Sequence, residues 1–459
     1  MSLRFGTDGV RGVANRDLTP ELVLALGRAV VRALGADRPL LVASDTRRSG
    51  PMLEAALTAG VCGEGGTVVS LGVLPTPGLA HASRESDAPA AMISASHNPF
   101  ADNGIKIFAA GGRKLPDELE RRIETELVTV LGRAVDEQEP VGAAVGTSLA
   151  GPDAARQYVD HLVETLEGRR FDGRRVVLDC GNGAASRTAP AVFERLGADV
   201  STIGVDPDGL NINDGCGSTA PEQLQRAVVE NRADAGFAFD GDADRCVAVD
   251  ENGALRDGDH ILAITAFDLA ARDALPGRAI ATTVMANLGL RRALAAEGIT
   301  IVETPVGDRH VLSAMEDQGL ALGGEQSGHV IFSEHASTGD GTLTALMLLD
   351  VVCRSGRSLG DLADVVVKLP QILTNVAVES TEDLDVSEGF WNDVHVAEAE
   401  LADDGRILVR ASGTEPVVRI MVEATEIDVA NAVARRLESS LAAHLRISEV
   451  AQGEEQGES

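Results

Sequence analysis

The residues best suited to chemistry are Ser96 and a group of aspartates far downstream of it. Ser96 lies in a polar stretch, residues 94–99, that directly follows a short apolar run, residues 90–93. This pattern predicts a buried strand that ends in a loop. Ligands bind at such strand ends in open α/β sheets. A serine hydroxyl is a weak nucleophile unless a base or a metal assists it. We therefore predict that Ser96 carries a phosphoryl group with a cation beside it.

The aspartates that would hold this cation are Asp240, Asp242 and Asp244, which follow a strand-like run, residues 235–239. Three clustered carboxylates repel one another unless a cation lies among them. The spacing also opens an EF-hand loop, but Arg245 occupies the sixth position, where that loop requires glycine. The sequence therefore favours a Mg²⁺ loop at a strand end, and a solvated acidic turn is the alternative.

Three glycine-containing loops supply cations, hydroxyls and an imidazole. Hydroxyls, backbone N–H groups and forked guanidinium groups suit a phosphate dianion, and a carboxylate with an imidazole suits sugar hydroxyls. For residues 5–12 and 410–416 the alternative is a polar turn, and for His329 it is a purely structural role. The loops are residues 5–12 with Arg11, residues 324–329 with Glu325, Ser327 and His329, and residues 410–416 with Arg410, Ser412, Gly413 and Thr414, followed by Arg419.

Taken together, these motifs resemble those of the α-D-phosphohexomutases, most closely the phosphoglucosamine mutase branch. Five segments match in family order and span nearly the whole chain, and Gln326 fits that branch better than the mannose and glucose mutases. The segments are Phe-Gly-Thr-Asp-Gly-Val-Arg-Gly (5–12), Ser-Ala-Ser-His-Asn-Pro (94–99), Asp-Gly-Asp-Ala-Asp-Arg (240–245), Gly-Glu-Gln-Ser-Gly-His (324–329) and Arg-Ala-Ser-Gly-Thr-Glu-Pro (410–416).

The resemblance implies an isomerase that interconverts glucosamine 6-phosphate and glucosamine 1-phosphate. It would act through a phosphoserine and a sugar 1,6-bisphosphate, and would feed UDP-N-acetylglucosamine synthesis. The implied residues fall into four groups. They are a catalytic group of Ser96, Lys106, His329 and Arg11; a metal group of Ser96, Asp240, Asp242 and Asp244; a substrate group of Arg245, Arg309, Glu325 and Ser327; and a phosphate group of Arg410, Ser412, Gly413, Thr414 and Arg419.

The elements that position these loops follow a repeated order. Strand, helix, glycine and strand recur three times, starting near residues 40, 175 and 279, which predicts mostly parallel α/β sheets. Residues 138–151 have a linker composition. Residues 393–401 and 406–409 suggest a strand pair joined by a hairpin at Asp-Asp-Gly.

The resemblance turns these elements into three similar α/β domains with mixed, mostly parallel sheets and a smaller C-terminal α+β domain, arranged around a central cleft. The expected boundaries are residues 1–150, 151–254, 255–368 and 369–447, with a disordered tail at 448–459. The first four would carry the phosphoserine, metal, sugar and phosphate loops in that order.

Composition limits the partners. The net charge of −31 argues against general nucleic-acid binding, and apolar residues make up 44% of the 459, enough for packed cores. We expect no signal peptide, no membrane span and a cytoplasmic location, with five reduced cysteines. The expected partner is a small phosphosugar, and the chain would be a monomer or homodimer.

Three other functions fit parts of this pattern. A phosphomannomutase/phosphoglucomutase would share the fold, and a magnesium-dependent phosphatase would share the metal loop. A phosphosugar-binding sensor is the alternative that is not an enzyme, and the presence of all the chemistry-bearing residues argues against it. A half-formed dinucleotide motif at residues 180–185 has Ser186 in place of its third glycine and reads as a simple turn.

Overall fold

The computed structural model describes residues 9–132, 139–412 and 416–446, which divide into two compact units. Unit 1 comprises residues 1–283 and 298–365, and unit 2 comprises residues 284–297 and 366–459. Residues 5–8, Gly413, Thr414 and the tail 448–459, all assigned above from the sequence, lie outside the described residues. In the described ranges, none of the helices combines the length and apolar content that a bilayer crossing requires.

Helices and strands alternate along most of the chain. The helices are α1 (Pro20–Leu34), α2 (Gly50–Gly63), α3 (Thr76–Ser86), α4 (Asp117–Leu131), α5 (Ala154–Glu164), α6 (Thr188–Arg195), α7 (Glu222–Asn231), α8 (Gly258–Ala271), α9 (Leu288–Ala296), α10 (Asp308–Gln318), α11 (Gly341–Ser355), α12 (Leu359–Ala363), α13 (Glu388–Leu401) and α14 (Ile427–His444). The strands are β1 (Val10–Val13), β2 (Leu40–Ser44), β3 (Val68–Val73), β4 (Ala90–Ile93), β5 (Asp102–Ala109), β6 (Arg113–Lys114), β7 (Ser148–Ala150), β8 (Arg175–Asp179), β9 (Asp199–Ile203), β10 (Ala235–Phe239), β11 (Cys246–Asp250), β12 (Leu255–Arg256), β13 (Ala279–Thr283), β14 (Thr300–Thr304), β15 (Leu322–Gly324), β16 (Val330–Phe332), β17 (Gln371–Ala377), β18 (Gly405–Ala411) and β19 (Val417–Ala424).

Unit 1 contains three mixed sheets, each with a parallel centre and antiparallel strands toward one edge. The strand orders are β1-β5-β4-β2-β3-β7 with β6 on β5, then β12-β11-β10-β8-β9, and then β14-β13-β15-β16. Strands β2, β3, β4 and β7 are parallel, as are β8, β9 and β10, and as are β13, β14 and β15. The predicted α/β class is thereby confirmed.

The helix α1 shows how local sequence sets these elements. Thr19 accepts a hydrogen bond from the Leu22 amide at 3.3 Å, Pro20 occupies the first turn, and Gly35 ends the helix with φ +91°. Gly27 allows close packing on α2, since a Cβ there would lie 2.4 Å from the Leu57 carbonyl oxygen. Helices α1 and α2 therefore approach each other to backbone contact distance.

Part of the region that has a linker composition forms a strand instead. Within the described part of residues 138–151, β7 pairs in parallel with β3 and extends the first sheet at its edge. The strand is short and all three of its residues are exposed, so the sequence shows no apolar pattern there.

Unit 2 contains an antiparallel sheet in the order β17-β19-β18 together with α9, α13 and α14. The prediction of a strand at residues 393–401 was wrong, because this segment forms α13. Its buried residues Phe390, Val394, Ala397 and Leu401 follow helical spacing, whereas Val396 is exposed. The predicted hairpin at Asp403–Gly405 is consequently a helix-to-strand connection.

The C-terminal unit also holds the one tryptophan of the chain, Trp391. Its indole Nε1 donates to the Leu384 carbonyl at 2.9 Å, and its ring meets Phe390 edge-on at 5.8 Å between centroids. Trp391 thus packs against the apolar core of unit 2.

Candidate active site

Ser96 lies just after β4, in a loop that holds it in an uncommon backbone conformation. Its φ is +53°, in the left-handed region that a non-glycine residue rarely adopts. Its backbone amide donates to Ser94 Oγ at 2.9 Å, and the residue is only 1% exposed. Such conformations cost about 1–3 kcal/mol and persist when surrounding contacts enforce them. The surroundings of Ser96 therefore define where its hydroxyl points.

That hydroxyl points at the second predicted cluster. Ser96 Oγ donates to Asp240 Oδ2 at 2.5 Å, and His97 Nδ1 lies 3.3 Å from Ser96 Oγ. Asp240 follows β10 in the second sheet, whereas Ser96 follows β4 in the first. Two strand ends of unit 1 thus bring together residues that the sequence separates widely.

The three aspartates form a compact and buried group. One carboxylate oxygen of each lies within 4.8 Å of the others, and Asp240, Asp242 and Asp244 are at most 6% exposed. Lys106 Nζ donates to Asp242 Oδ2 at 2.8 Å and to Asp244 Oδ2 at 3.3 Å. Lys106 is on β5, so a single lysine from the first sheet offsets part of the acidic charge.

Burial and mutual repulsion set the protonation of this group. Burial raises the pKa of Asp240 well above its usual range, and the neighbouring carboxylates Asp244 and Asp242 raise it further. Burial would also raise the pKa of Asp244, but Lys106, His329 and Arg245 more than offset it and hold that pKa far below its usual range. Neighbouring aspartates with opposite pKa shifts are typical of functional sites.

The donor set fits a hard divalent cation. Asp242 Oδ1 and Asp244 Oδ1 are buried and accept no hydrogen bond from the described residues. Buried oxygens without donors are costly unless a cation replaces the donors. Carboxylate oxygens alone suit Mg²⁺ or Ca²⁺ rather than a thiophilic metal. The group can therefore bind a metal ion.

A cleft of about 190 Å³ opens beside Asp244. Its lining combines the aspartate loop, the predicted sugar loop and the segment that leads into α10 with β1, which carries Arg11. Glu325 Oε1 accepts from the Gly307 amide at 3.1 Å and thereby joins the predicted sugar loop to the segment before α10. The lining residues are Arg11, Asp244, Arg245, Val306, Gly307, Asp308, Glu325 and His329.

His329 lies between two carboxylates at the end of this cleft. Its Nδ1 is 3.8 Å from Asp244 Oδ2, and its Nε2 is 3.6 Å from Asp308 Oδ2. The Gly339 amide donates to Nε2 at 3.0 Å, which places the proton of a neutral ring on Nδ1. Lys114 in turn pairs with Asp308. The imidazole thus presents its N–H toward the metal loop.

The structure places some predicted residues outside this cleft lining. Ser327 is exposed. The Arg309 guanidinium pairs with Glu120 and, at 2.7 Å, with Asp117, both on α4.

The predicted phosphate loop belongs to unit 2. Arg410 on β18 is directly opposite Arg419 on β19 in the antiparallel register. Burial lowers the pKa of Arg410, and the neighbouring Arg419 lowers it further. Ser412 is half-buried and its amide donates to the Val417 carbonyl at 2.8 Å. Like charges opposed across a strand pair are unfavourable alone and favour a bound anion.

Sequence reasoning missed several residues that hold the site. Thr76 Oγ1 donates to Asp242 Oδ2 at 2.6 Å, and Arg47 and Asn213 bind the carbonyl oxygen of Ser96 at 2.8 Å and 2.9 Å. Arg47 follows β2, a parallel strand adjacent to β4, so its position at a strand end was a usable signal. Thr76 and Asn213 carry no comparable sequence signal.

Family models match the chain in four consecutive places. They are the phosphoglucomutase/phosphomannomutase α/β/α domain I at residues 2–130, domain II at 156–253, domain III at 257–369 and the C-terminal domain at 373–440. Together they cover far more than half of the chain.

Curated relatives match over nearly their whole length. The phosphoglucosamine mutase of Symbiobacterium thermophilum is 52% identical over 452 residues, which cover 97% of this chain and 99% of the relative. The phosphoglucosamine mutase of Salinispora arenicola is 52% identical over 443 residues, covering 95% and 98%.

Solved structures show the same architecture. A phosphoglucomutase/phosphomannomutase family protein from Burkholderia thailandensis has a TM-score of 0.79 at 26% identity, covering 96% of this chain and 97% of its own. The fold is also shared, at TM-score 0.70 and 19% identity, by Aspergillus fumigatus N-acetylphosphoglucosamine mutase in complex with GlcNAc-6P and magnesium, covering 97% and 96%. The chain therefore belongs to the phosphoglucomutase/phosphomannomutase family of phosphohexomutases.

Proposed function

We propose that this chain interconverts glucosamine 6-phosphate and glucosamine 1-phosphate through a phosphorylated Ser96, as the names of its half-identical relatives suggest. Membership of the family makes the chain an intramolecular phosphotransferase of the isomerase class. The observation that supports Ser96 as the phosphoryl carrier is its 2.5 Å hydrogen bond to Asp240 inside the buried carboxylate group. We expect the enzyme to act in the cytoplasm and to supply UDP-N-acetylglucosamine synthesis.

The chemistry begins with a phosphoryl group on Ser96 Oγ. A sugar hydroxyl attacks the phosphorus, the bond from phosphorus to Ser96 Oγ breaks, and Ser96 is left as a hydroxyl or alkoxide. The bisphosphate then turns and returns its other phosphoryl group to Ser96. The proton released by the attacking hydroxyl must reach Ser96 Oγ, and our candidate for relaying it is Lys106, whose Nζ donates to Asp242 Oδ2 in the carboxylate group that also binds the Ser96 hydroxyl. In such transfers the rate acceleration comes mainly from positioning and from electrostatic stabilisation of the transition state.

The metal proposed for the aspartate group is Mg²⁺, held by Asp240, Asp242, Asp244 and an oxygen of phosphorylated Ser96. When bound, it would neutralise charge on the moving phosphoryl group. The chain's own residues then have separate tasks. Lys106 offsets the carboxylates, while the Thr76 hydroxyl fixes the orientation of Asp242.

Substrate binding is assigned to two groups of residues. Arg11, Arg245, Glu325 and His329 line the cleft beside Asp244 and offer donors and one carboxylate to sugar and phosphate oxygens. Ser327 and Arg309 remain proposals from the family motif. The non-reacting phosphate is assigned to Arg410, Ser412, Gly413, Thr414 and Arg419.

The test measures turnover on glucosamine, mannose and glucose phosphates, together with the intact mass of the protein. We expect the highest kcat/KM on glucosamine phosphates and a single phosphate mapped to Ser96. Ser96→Ala should abolish turnover while sugar-phosphate binding persists, and Ser86→Ala, at an exposed serine, should leave both unchanged. Preference for mannose or glucose phosphates would favour the phosphomannomutase/phosphoglucomutase alternative. Steady release of inorganic phosphate would favour a phosphatase.

A further inference from the structure

The loop that carries Ser96 is held from behind by one buried side chain, Arg47. Its Nη2 donates to the carbonyl oxygens of Ser96 and Asn98, both at 2.8 Å, and its Nη1 donates to those of Asp102 at 3.0 Å and of Pro99. Four carbonyl groups of a single loop thus converge on one guanidinium. A planar group with five fixed donors can satisfy them together.

The Arg47 side chain is itself fixed by Asp45. Its Nε donates to Asp45 Oδ2 at 2.9 Å, and both side chains are fully buried. The same Asp45 oxygen accepts from Ser94 Oγ at 2.6 Å, and Ser94 Oγ accepts from the Ser96 amide at 2.9 Å. This series of hydrogen bonds therefore fixes both the backbone amide and the carbonyl group of Ser96.

A second side chain, Asn213, binds the same carbonyl oxygen from the connection that follows β9 of the second sheet. Asn213 Nδ2 donates to the carbonyl oxygens of Ser96 at 2.9 Å and of Asn98 at 3.1 Å. Asn213 lies in the connection between β9 and α7, close to the aspartate loop, and a Cβ on Gly241 of that loop would lie 3.1 Å from Asn213 Nδ2. The peptide after Ser96 is therefore fixed relative to the aspartates.

We infer that Arg47, anchored by Asp45 and assisted by Asn213, is a positioning residue that holds Ser96 in its left-handed conformation so that Oγ faces Asp240. The side-chain hydrogen bonds of Arg47 go to Asp45 and to backbone carbonyl groups, so its effect on Ser96 passes through the backbone of the loop. This inference rests on the proposed function of Ser96 as phosphoryl carrier. The rate of phosphoryl transfer then depends on a side chain that lies in none of the chemistry-bearing motifs.

The experiment compares Arg47→Lys with Arg48→Lys, a matched change at the exposed neighbouring arginine. The lysine retains the buried charge but lacks the fork that binds four carbonyls. The rate of single-turnover phosphorylation of Ser96 by glucosamine 1,6-bisphosphate is followed by intact mass. The Kd for glucosamine 6-phosphate is measured by calorimetry, and folding by urea denaturation.

We expect Arg47→Lys to slow phosphorylation about a hundredfold, the scale of a misplaced reacting group, with the Kd changed less than about threefold. The ³¹P resonance of phosphorylated Ser96 should also shift or broaden, which a residue that only stabilises the fold would not cause. Arg48→Lys should match the wild type in all four measurements. A folded Arg47→Lys protein that phosphorylates Ser96 at the wild-type rate would overturn the inference.

Asn213→Ala covers the case in which Arg47→Lys does not fold. It removes two donors to the same carbonyls without stranding a buried charge, so about a tenfold slower transfer with unchanged Kd is expected. A wild-type rate in Asn213→Ala, with Arg47→Lys unfolded, would also reject the positioning role. Ser96→Ala separates this inference from the proposed function. If Ser96→Ala still turns over, the proposed function fails; if it is inactive while the positioning variants are fully active, only this inference fails.

Discussion

Lys106 Nζ lies 2.8 Å from Asp242 Oδ2, so one of only three lysines in the chain is buried against the acidic group. It also reaches Asp244 Oδ2 at 3.3 Å. A buried ion pair that loses one partner leaves an uncompensated charge. The charge of Lys106 and a bound divalent cation should therefore each stabilise the same carboxylates.

The first prediction concerns Lys106→Met. In EDTA the variant should lose about 3–5 kcal/mol of unfolding free energy, because two buried carboxylates lose their cation. Saturating Mg²⁺ should recover much of this loss. Urea denaturation with and without Mg²⁺ measures both. The control Arg38→Met removes an exposed pair with Asp87 and should cost less than about 1 kcal/mol. An equal loss in both conditions would contradict the linkage.

The second prediction concerns metal binding itself. Above the Kd, each tenfold rise in free Mg²⁺ should raise the wild-type unfolding free energy by about 1.4 kcal/mol. Asp244→Asn should abolish this dependence, because the ligand set loses a charge. Asp214→Asn alters an exposed acid and should retain it. Thermal or urea unfolding across a magnesium series gives the slope, and a wild-type slope in Asp244→Asn would exclude this site as the one responsible.

The third prediction is a pH dependence from Asp340, which caps α11 and accepts from Tyr158 Oη at 2.8 Å. Burial raises its pKa from 3.8 to about 6, against the lowering effect of the Leu343 amide and Tyr158. The folded state therefore holds this proton over a pH range in which the unfolded state has released it. The resulting stability is fully present below pH 3.8 and is lost as pH rises through 6.

Asp340→Asn isolates this contribution, because asparagine also caps helices but does not titrate there. The unfolding free energy of the wild type minus that of Asp340→Asn should fall by about 2.4 kcal/mol between pH 4 and pH 7. Urea denaturation across this range measures the difference. Parallel pH curves for the two proteins would show that the carboxyl group of Asp340 titrates normally.

The fourth prediction tests the contact between the two loops. A Cβ on Gly241 would lie 2.6 Å from the Ser96 carbonyl oxygen, so Gly241→Ala must push the loops apart. We expect kcat to fall about a hundredfold, the scale that a displacement near 1 Å produces. Gly63→Ala, whose nearest contact would be an ordinary 3.6 Å, should leave kcat unchanged. Steady-state kinetics decide, and full activity in Gly241→Ala would show that the loops accommodate the methyl group.

The strand ends of unit 1 were readable from sequence because apolar runs stop abruptly before polar loops. Residues 90–93 and 235–239 form β4 and β10 as predicted, and the loops after them bring Ser96 to Asp240. The C-terminal unit was harder to read. In α13, alternating valines imitate a strand, and only the tertiary core of unit 2 shows that residues at helical spacing are buried.

The support around the site was not readable in the same way. The place of Arg47 at a strand end could be read from the sequence, but its role appears only when four carbonyl groups of a distant segment surround it. Thr76 starts α3 and looks like any residue of a first turn, yet it donates to Asp242. Sequence patterns identify groups that react, whereas groups that hold them depend on contacts between residues far apart in the chain.

The single Trp391, which packs against the core of unit 2, gives that unit an optical label, and the single Tyr158 labels unit 1. Fluorescence excited beyond the tyrosine band therefore reports melting of the C-terminal unit alone, and tyrosine absorbance reports the unit that contains Ser96. Coincident transitions at both wavelengths would mean cooperative melting of the two units, and separated transitions would mean that each melts by itself.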